Sequence, residues 1–153
     1  MIAKTCCFTG HRDLYDDAIE IKQNLKKAII TLIKNDVSNF ITGGARGFDT
    51  VAAETVIELK KAYPEIQLIL ALPCRTQTSG WLQTDIEKYN FIISKSDKIV
   101  ILSEKYYTGC MQVRNRYMVD NSKHIIGYQR KNTGGTAYTL NYAKKKCLSI
   151  IQI

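Results

Sequence analysis

The residues best suited to chemistry come in short glycine-rich runs. Thr9-Gly10-His11-Arg12 follows one apolar run and Gly43-Gly44-Ala45-Arg46-Gly47-Phe48-Asp49 follows a second. Pro73-Cys74-Arg75-Thr76-Gln77 follows a third, and Gly134-Gly135-Thr136 lies beyond a later one. Glycine lets backbone N–H groups approach a phosphate with no Cβ in the way, and a following helix N-terminus adds a favourable dipole. Each glycine pair alone reads equally as a tight turn or a phosphate cradle. Taken with the arginines and hydroxyls beside them, they point to anion binding. Neither pair matches G-x-G-x-x-G or G-x-x-x-x-G-K-[ST], which weakens dinucleotide-dehydrogenase and NTPase readings.

The neighbouring candidates keep two readings each. Arg12, Arg46, Arg75 and Arg114 can pair with a phosphate or stand as solvated surface. Asp49 can cap the helix that follows it or, with Asn115, hold ribose or base. His11 reads as a hydrogen-bond donor rather than a general base, and Trp81 and Tyr89 as core residues or a base-stacking pair. Asp97 and Glu104 flank an apolar run without forming an acid–base couple, and the only other histidine is His124. Neither a metal nor a cofactor is called for.

These residues need a frame that brings distant loops together, and the patterning supplies one. Apolar runs of strand length at Thr5–Phe8, Asn39–Thr42, Gln67–Leu72, Lys98–Leu102, His124–Tyr128 and Leu148–Ile153 alternate with helix-period segments. Ile21, Leu25, Ala28, Ile29, Leu32 and Ile33 fall on one helical face, and Ala52, Thr55, Val56, Leu59, Ala62 and Tyr63 on another that ends at Pro64. Leu82, Ile86, Tyr89 and Ile93 mark a third helix, Met111 to Val119 a fourth, and Asn132-Thr133-Gly134-Gly135-Thr136 opens a fifth. The alternation predicts an α/β fold, Rossmann-like, with three layers (α/β/α) and a mostly parallel sheet of about six strands in one domain over residues 1–153. In such a sheet the strand-to-helix loops share the carboxyl edge, where ligands bind. All four glycine- and arginine-bearing loops are therefore expected on one edge.

Composition narrows the class. A formal charge of +8 suits anionic ligands or nucleic acid, but Lys26-Lys27, Lys60-Lys61 and Lys144-Lys145-Lys146 also read as solvated late-helix positions complementing the dipole. The five cysteines are odd in number, form no C-x-x-C pair and read as buried reduced thiols, three of them within strands. With no signal-like start and no apolar run near the ~20 residues needed to span a bilayer, the expected location is cytoplasmic, with no membrane partner.

In this order the motifs resemble the SLOG superfamily, in particular its YpsA-like branch. Thr9–Arg12 and Gly43–Asp49 with Ala52-Ala53-Glu54 carry the resemblance, joined by Gln77 with Trp81, Arg114-Asn115 with Met118-Val119-Asp120, and Gly134–Thr136 with Tyr142-Ala143. It implies a protein that binds, and senses or sequesters, a nucleotide or nucleotide derivative such as an ADP-ribose-like, NAD-derived messenger, commonly as a homodimer. Two relatives frame the alternatives. The LOG phosphoribohydrolases, which cleave an N-glycosidic bond, are similar at Arg114, Met118 and the later glycine pair, but Asn141 stands where their P-G-G-x-G-T-x-x-E pattern places its glutamate. An amide cannot serve as that acid or base, so a non-catalytic role is expected. DprA, a single-stranded DNA binder, is similar over Thr42–Asp49.

Overall fold

A computed structural model describes residues 1–153. After a 3₁₀ turn at Ile2–Lys4, strands β1 (Thr5–Gly10), β2 (Asn39–Thr42), β3 (Gln67–Leu72), β4 (Lys98–Ile101), β5 (His124–Tyr128) and β6 (Ser149–Gln152) alternate with helices. These are α1 (Ala18–Lys34), α2 (Phe48–Leu59), α3 (Gln83–Lys95), α4 (Cys110–Asp120) and α5 (Gly135–Lys145). The sheet is parallel throughout, in the order β4-β3-β2-β1-β5-β6. Helices α1, α2 and α3 pack side by side on one face, and α4 packs with α5 on the other.

Local chemistry explains the elements. Asp17 caps α1 by accepting the Ile19 N–H at 3.3 Å, and its stripe Ile21, Leu25, Ala28, Ile29 and Leu32 is buried against the sheet. Strand β3, apolar without alternation, lies next to the edge strand β4 and is covered on both faces. The second helix stops at Leu59 and tightens into turns through Ala62, whose N–H donates to the Leu59 carbonyl at 3.1 Å, before the chain reaches Pro64. Lys26 and Lys27 are mid-helix rather than late: Lys26 joins Lys22 in pairing with Glu58 of α2 at 2.8 and 2.7 Å. Four cysteines are buried and unpaired, but only Cys6 and Cys7 lie in a strand and Cys147 is exposed. No helix is long and apolar enough to cross a membrane.

The strand order decides where the site forms. The chain builds outward from β1 to β4, then crosses back to place β5 on the other side of β1. The order therefore reverses between β1 and β5, and the loops leaving those two strands part around a crevice. Phe48, the first residue of α2, fills the base of that crevice. Its ring stacks on Tyr128 at 5.6 Å between centroids and lies where a Cβ on Gly10 would otherwise sit. Its N–H donates to the His11 carbonyl at 3.1 Å, tying α2 to the β1 loop. Phe48→Ala should cost about 3–5 kcal/mol of stability in urea unfolding, the range for truncating a fully buried aromatic. A loss below about 1 kcal/mol would show that the crevice base is held by other contacts.

Candidate functional site

The crevice between β1 and β5 opens as a cleft of about 370 Å³. Its β1 side is Thr9, Gly10, His11, Arg12, Asp13 and Tyr15, and its β5 side is Lys131, Gly134, Gly135 and Thr136. The loop after β2 contributes Ala45, Arg46 and Asp49, and α4 contributes Met111, Arg114, Asn115 and Met118.

The β5 side has the character of an anion site. Gly134 precedes α5 at φ +95°, a conformation L side chains rarely adopt, and no side chain caps the helix. The first helical bond runs from the Tyr138 N–H to the Gly134 carbonyl, which leaves the N–H groups of Gly135, Thr136 and Ala137 without a protein acceptor. A Cβ built on Gly135 meets nothing within 4 Å, and Gly134, Gly135 and Thr136 line the cleft, so open space adjoins this helix start. The positive end of the α5 dipole adds to these donors.

The β1 side is pinned by Tyr128 and His11. The Tyr128 hydroxyl accepts the N–H groups of Tyr15 (2.9 Å) and Asp16 (3.0 Å) and donates to the Asp16 carboxylate at 2.7 Å. His11 is 7% exposed, and its Nε2 accepts the Arg130 N–H at 2.8 Å, which puts the proton of the neutral ring on Nδ1. The expected donor is thus an acceptor at this nitrogen. Burial first, then the charges of Lys131 and Arg130, lower its pKa, so the ring stays neutral near pH 7.

Arg114 forms the floor. Only 4% of it is exposed, and its Nη1 donates to the carbonyls of Gly43 and Ala71 and to the Gln77 Oε1, while its Nε donates to Asn115 Oδ1 at 2.9 Å. A Cβ on Gly43 would overlap this guanidinium, so the glycine serves the arginine rather than a ligand. Asp49 stands in the first turn of α2 but is not its cap, a position held by Gly47; its Oδ2 accepts the Ala45 N–H at 3.2 Å and holds the β2 loop. Burial raises the Asp49 pKa to about 6, against the lowering effect of Arg114 and of the loop N–H groups. No ion pair within 4 Å joins Asp49 to Arg114.

Several residues singled out from the sequence do not line the cleft. Arg75 pairs with Glu104 at 2.6 Å on the exposed surface, because its strand β3 is separated from β1 by β2. Gly43, Gly44 and Gln77 lie behind the floor, Gln77 donating to the Gly43 carbonyl at 3.3 Å, and Gly47 is backed against the Arg12 carbonyl. Three loops with α4, rather than four loops, therefore meet. Trp81 is half-buried, edge-on to the buried Tyr89, with the Arg46 guanidinium 5.1 Å from its ring centre, and neither aromatic lines the cleft. Conversely, Asp13, Tyr15, Met111 and Lys131 line it unannounced, joined by Met118, which the sequence marked only through the family resemblance. Lys131 and Tyr15 lie within four residues of the glycine runs, which is the one signal that marks them.

Strand order, crevice and glycine-opened helix together define a Rossmann-like α/β protein. The chain belongs to the YspA SLOG family (YpsA), which it matches over residues 7–150. It is 33% identical over 129 residues to a UPF0398 protein of Halalkalibacterium halodurans, covering 82% of this chain and 68% of that one. It is 34% identical over 143 residues to the SPbeta prophage-derived protein YoqJ of Bacillus subtilis, covering 85% and 84%. Among solved structures it resembles DNA processing protein A of Helicobacter pylori (TM-score 0.70, 21% identity, 97% of this chain and 64% of that one). It also resembles DprA of Streptococcus pneumoniae (TM-score 0.71, 16% identity, 98% and 50%), so it spans about half to two thirds of those chains. At these identities the likeness is one of fold.

The buried Asp49 generates a prediction with a definite sign. Its pKa in the fold, about 6, lies above the ordinary value of 3.8, so the folded state takes up its proton first as pH falls. Stability contributed by this group therefore rises as pH drops through 6 towards 4, and ionised Asp49 costs roughly 3 kcal/mol above pH 7. Asp49→Asn should be more stable than the parent at pH 8, and the difference should close by pH 4–5 in thermal unfolding. A variant less stable than the parent at pH 8 would contradict the burial cost.

Proposed function

We propose that the cleft binds the phosphate of a nucleotide or nucleotide derivative of the ADP-ribose or NAD-derived messenger kind, and that the protein senses or sequesters this ligand. The observation that carries the reading is the start of α5: three N–H groups without a protein acceptor at a helix start whose Gly134, Gly135 and Thr136 line the cleft, at the point where strand order reverses. Arg12, Arg46, Lys131 and Arg114 set four cationic side chains against the carboxylates of Asp13 and Asp49 around that space, which favours a ligand of two or three negative charges. Thr9 and Asn115 are polar groups available to ribose or base, and Met111 and Met118 offer apolar contact.

Binding without turnover is supported by the placement of Asn141, Asp49 and His11. Asn141, at the position of the hydrolase glutamate, is exposed and outside the cleft. Asp49 is engaged with the Ala45 N–H, and His11 is held neutral by Arg130 and its burial. A prophage-derived relative suits a sequestering role, in which a mobile element removes a signalling nucleotide.

A thermal-shift screen tests the reading with AMP, ADP, ATP, NAD, ADP-ribose, its cyclic forms and short single-stranded oligonucleotides. Ligand at ~100 times its dissociation constant stabilises by about 2.7 kcal/mol, which is roughly 5–10 °C for a chain of this size. A shift with small nucleotides and none with oligonucleotides is the expected result. A shift with oligonucleotides alone, falling steeply with salt, would replace the reading with single-stranded DNA binding. Release of free base from a nucleoside monophosphate would replace it with hydrolysis.

A further inference from the structure

A second hollow of about 400 Å³ adjoins the cleft on the α1–α2–α3 side, where Thr50 and Glu54 of α2 and Asp85 and Lys88 of α3 line it. Arg12, Asp13 and Arg46 line both spaces, so the two meet at these residues. We infer that this outer groove is a second subsite that takes the distal sugar of a nucleoside diphosphate sugar, the diphosphate crossing between Arg12 and Arg46; the inference rests on the nucleotide reading of the inner cleft.

The charges favour this occupant. Neither Arg12 nor Arg46 belongs to any ion pair of the protein, and the Arg46 Nε is a buried donor with no acceptor. Both guanidinium groups border the junction of the two spaces, Arg46 lying against the Trp81 ring, and together they match the two phosphoryl groups of a diphosphate. Past them the groove changes sign of chemistry. Glu54 of α2 and Asp85 of α3 add two carboxylates to Asp13, all three without an ion-pair partner, beside the Thr50 hydroxyl and set against a single lysine, Lys88 of α3. Carboxylates accept hydrogen bonds from vicinal hydroxyls and repel further phosphates. A hydroxyl-rich, uncharged sugar satisfies them, whereas a continuing polynucleotide backbone does not. No aromatic side chain lines the groove, which leaves no platform for a second stacked base.

The test is isothermal titration of the full chain with ADP, UDP, ADP-ribose and UDP-glucose, repeated on the double variant Glu54→Gln/Asp85→Asn. Both positions are partly exposed and outside the inner cleft, so the variant keeps the fold, verified by an unchanged melting curve. The expected result is that at least one diphosphate sugar binds ten-fold or more tighter than its parent diphosphate. The double variant should bring that ratio to within about two-fold without weakening diphosphate binding. Equal affinity for diphosphate and diphosphate sugar in the parent, or an equal loss for both in the variant, overturns the outer subsite while leaving the inner cleft intact. Absence of binding by all four probes overturns the nucleotide reading and the subsite with it.

Discussion

The cleft depends on a buried cation. Arg114 enters from α4 beneath the sheet edge and spends its donors on the carbonyls of Gly43 and Ala71 and on Gln77, so that one guanidinium joins α4 to the ends of β2 and β3 and to the loop beyond. A guanidinium taken out of water is stable there only because those acceptors converge on it. The convergence in turn dictates its surroundings. Gly43 must lack a side chain, Gln77 must be folded in, and Asp49 must stay close enough to be lowered by the arginine's charge while burial raises it. The same burial lowers the pKa of Arg114 from its ordinary value, with Asp49 the largest opposing influence. A ligand's phosphate would thus meet a floor already positive and already rigid, which lowers the ordering cost of binding.

Much of this was legible from residue patterning, for a reason that can be stated. In a parallel α/β sheet the strands are apolar runs, the helices have period 3.6, and the loops between them share an edge by geometry alone. Thr9–Arg12 and Gly134–Thr136 were therefore assignable to one edge before any coordinate was known. Strand order is a different matter, because periodicity records what a segment is and not what it lies beside. The crossover that sets β5 against β1 brings two glycine loops together and leaves Arg75 two strands away, paired with Glu104. Equally hidden was the division of labour among the glycines. Gly43 and Gly134 look alike in sequence, yet one makes room for a buried arginine and the other opens a helix towards solvent. Arg114 itself sits on a mostly polar helix where no pattern distinguishes a buried cation from a solvated one.

The family to which the chain belongs and the DprA structures that share its fold leave room for several chemistries on one scaffold. What separates them is the disposition of donors and acids around the crevice. Here the donors are backbone N–H groups and free arginines, the buried carboxylate is bonded to its own loop, and the histidine is spoken for by Arg130. That arrangement suits an anion, and the carboxylate it leaves without a protein partner at the cleft is Asp13.

The central claim is that the start of α5 is the phosphate site. Backbone amide shifts recorded by nuclear magnetic resonance during titration with ADP address it residue by residue. The account predicts saturable changes, largest at the N–H groups of Gly135, Thr136 and Ala137, with smaller ones at Gly10 and His11 across the crevice. Saturable changes confined to another face, with the α5 amides unmoved, would contradict it.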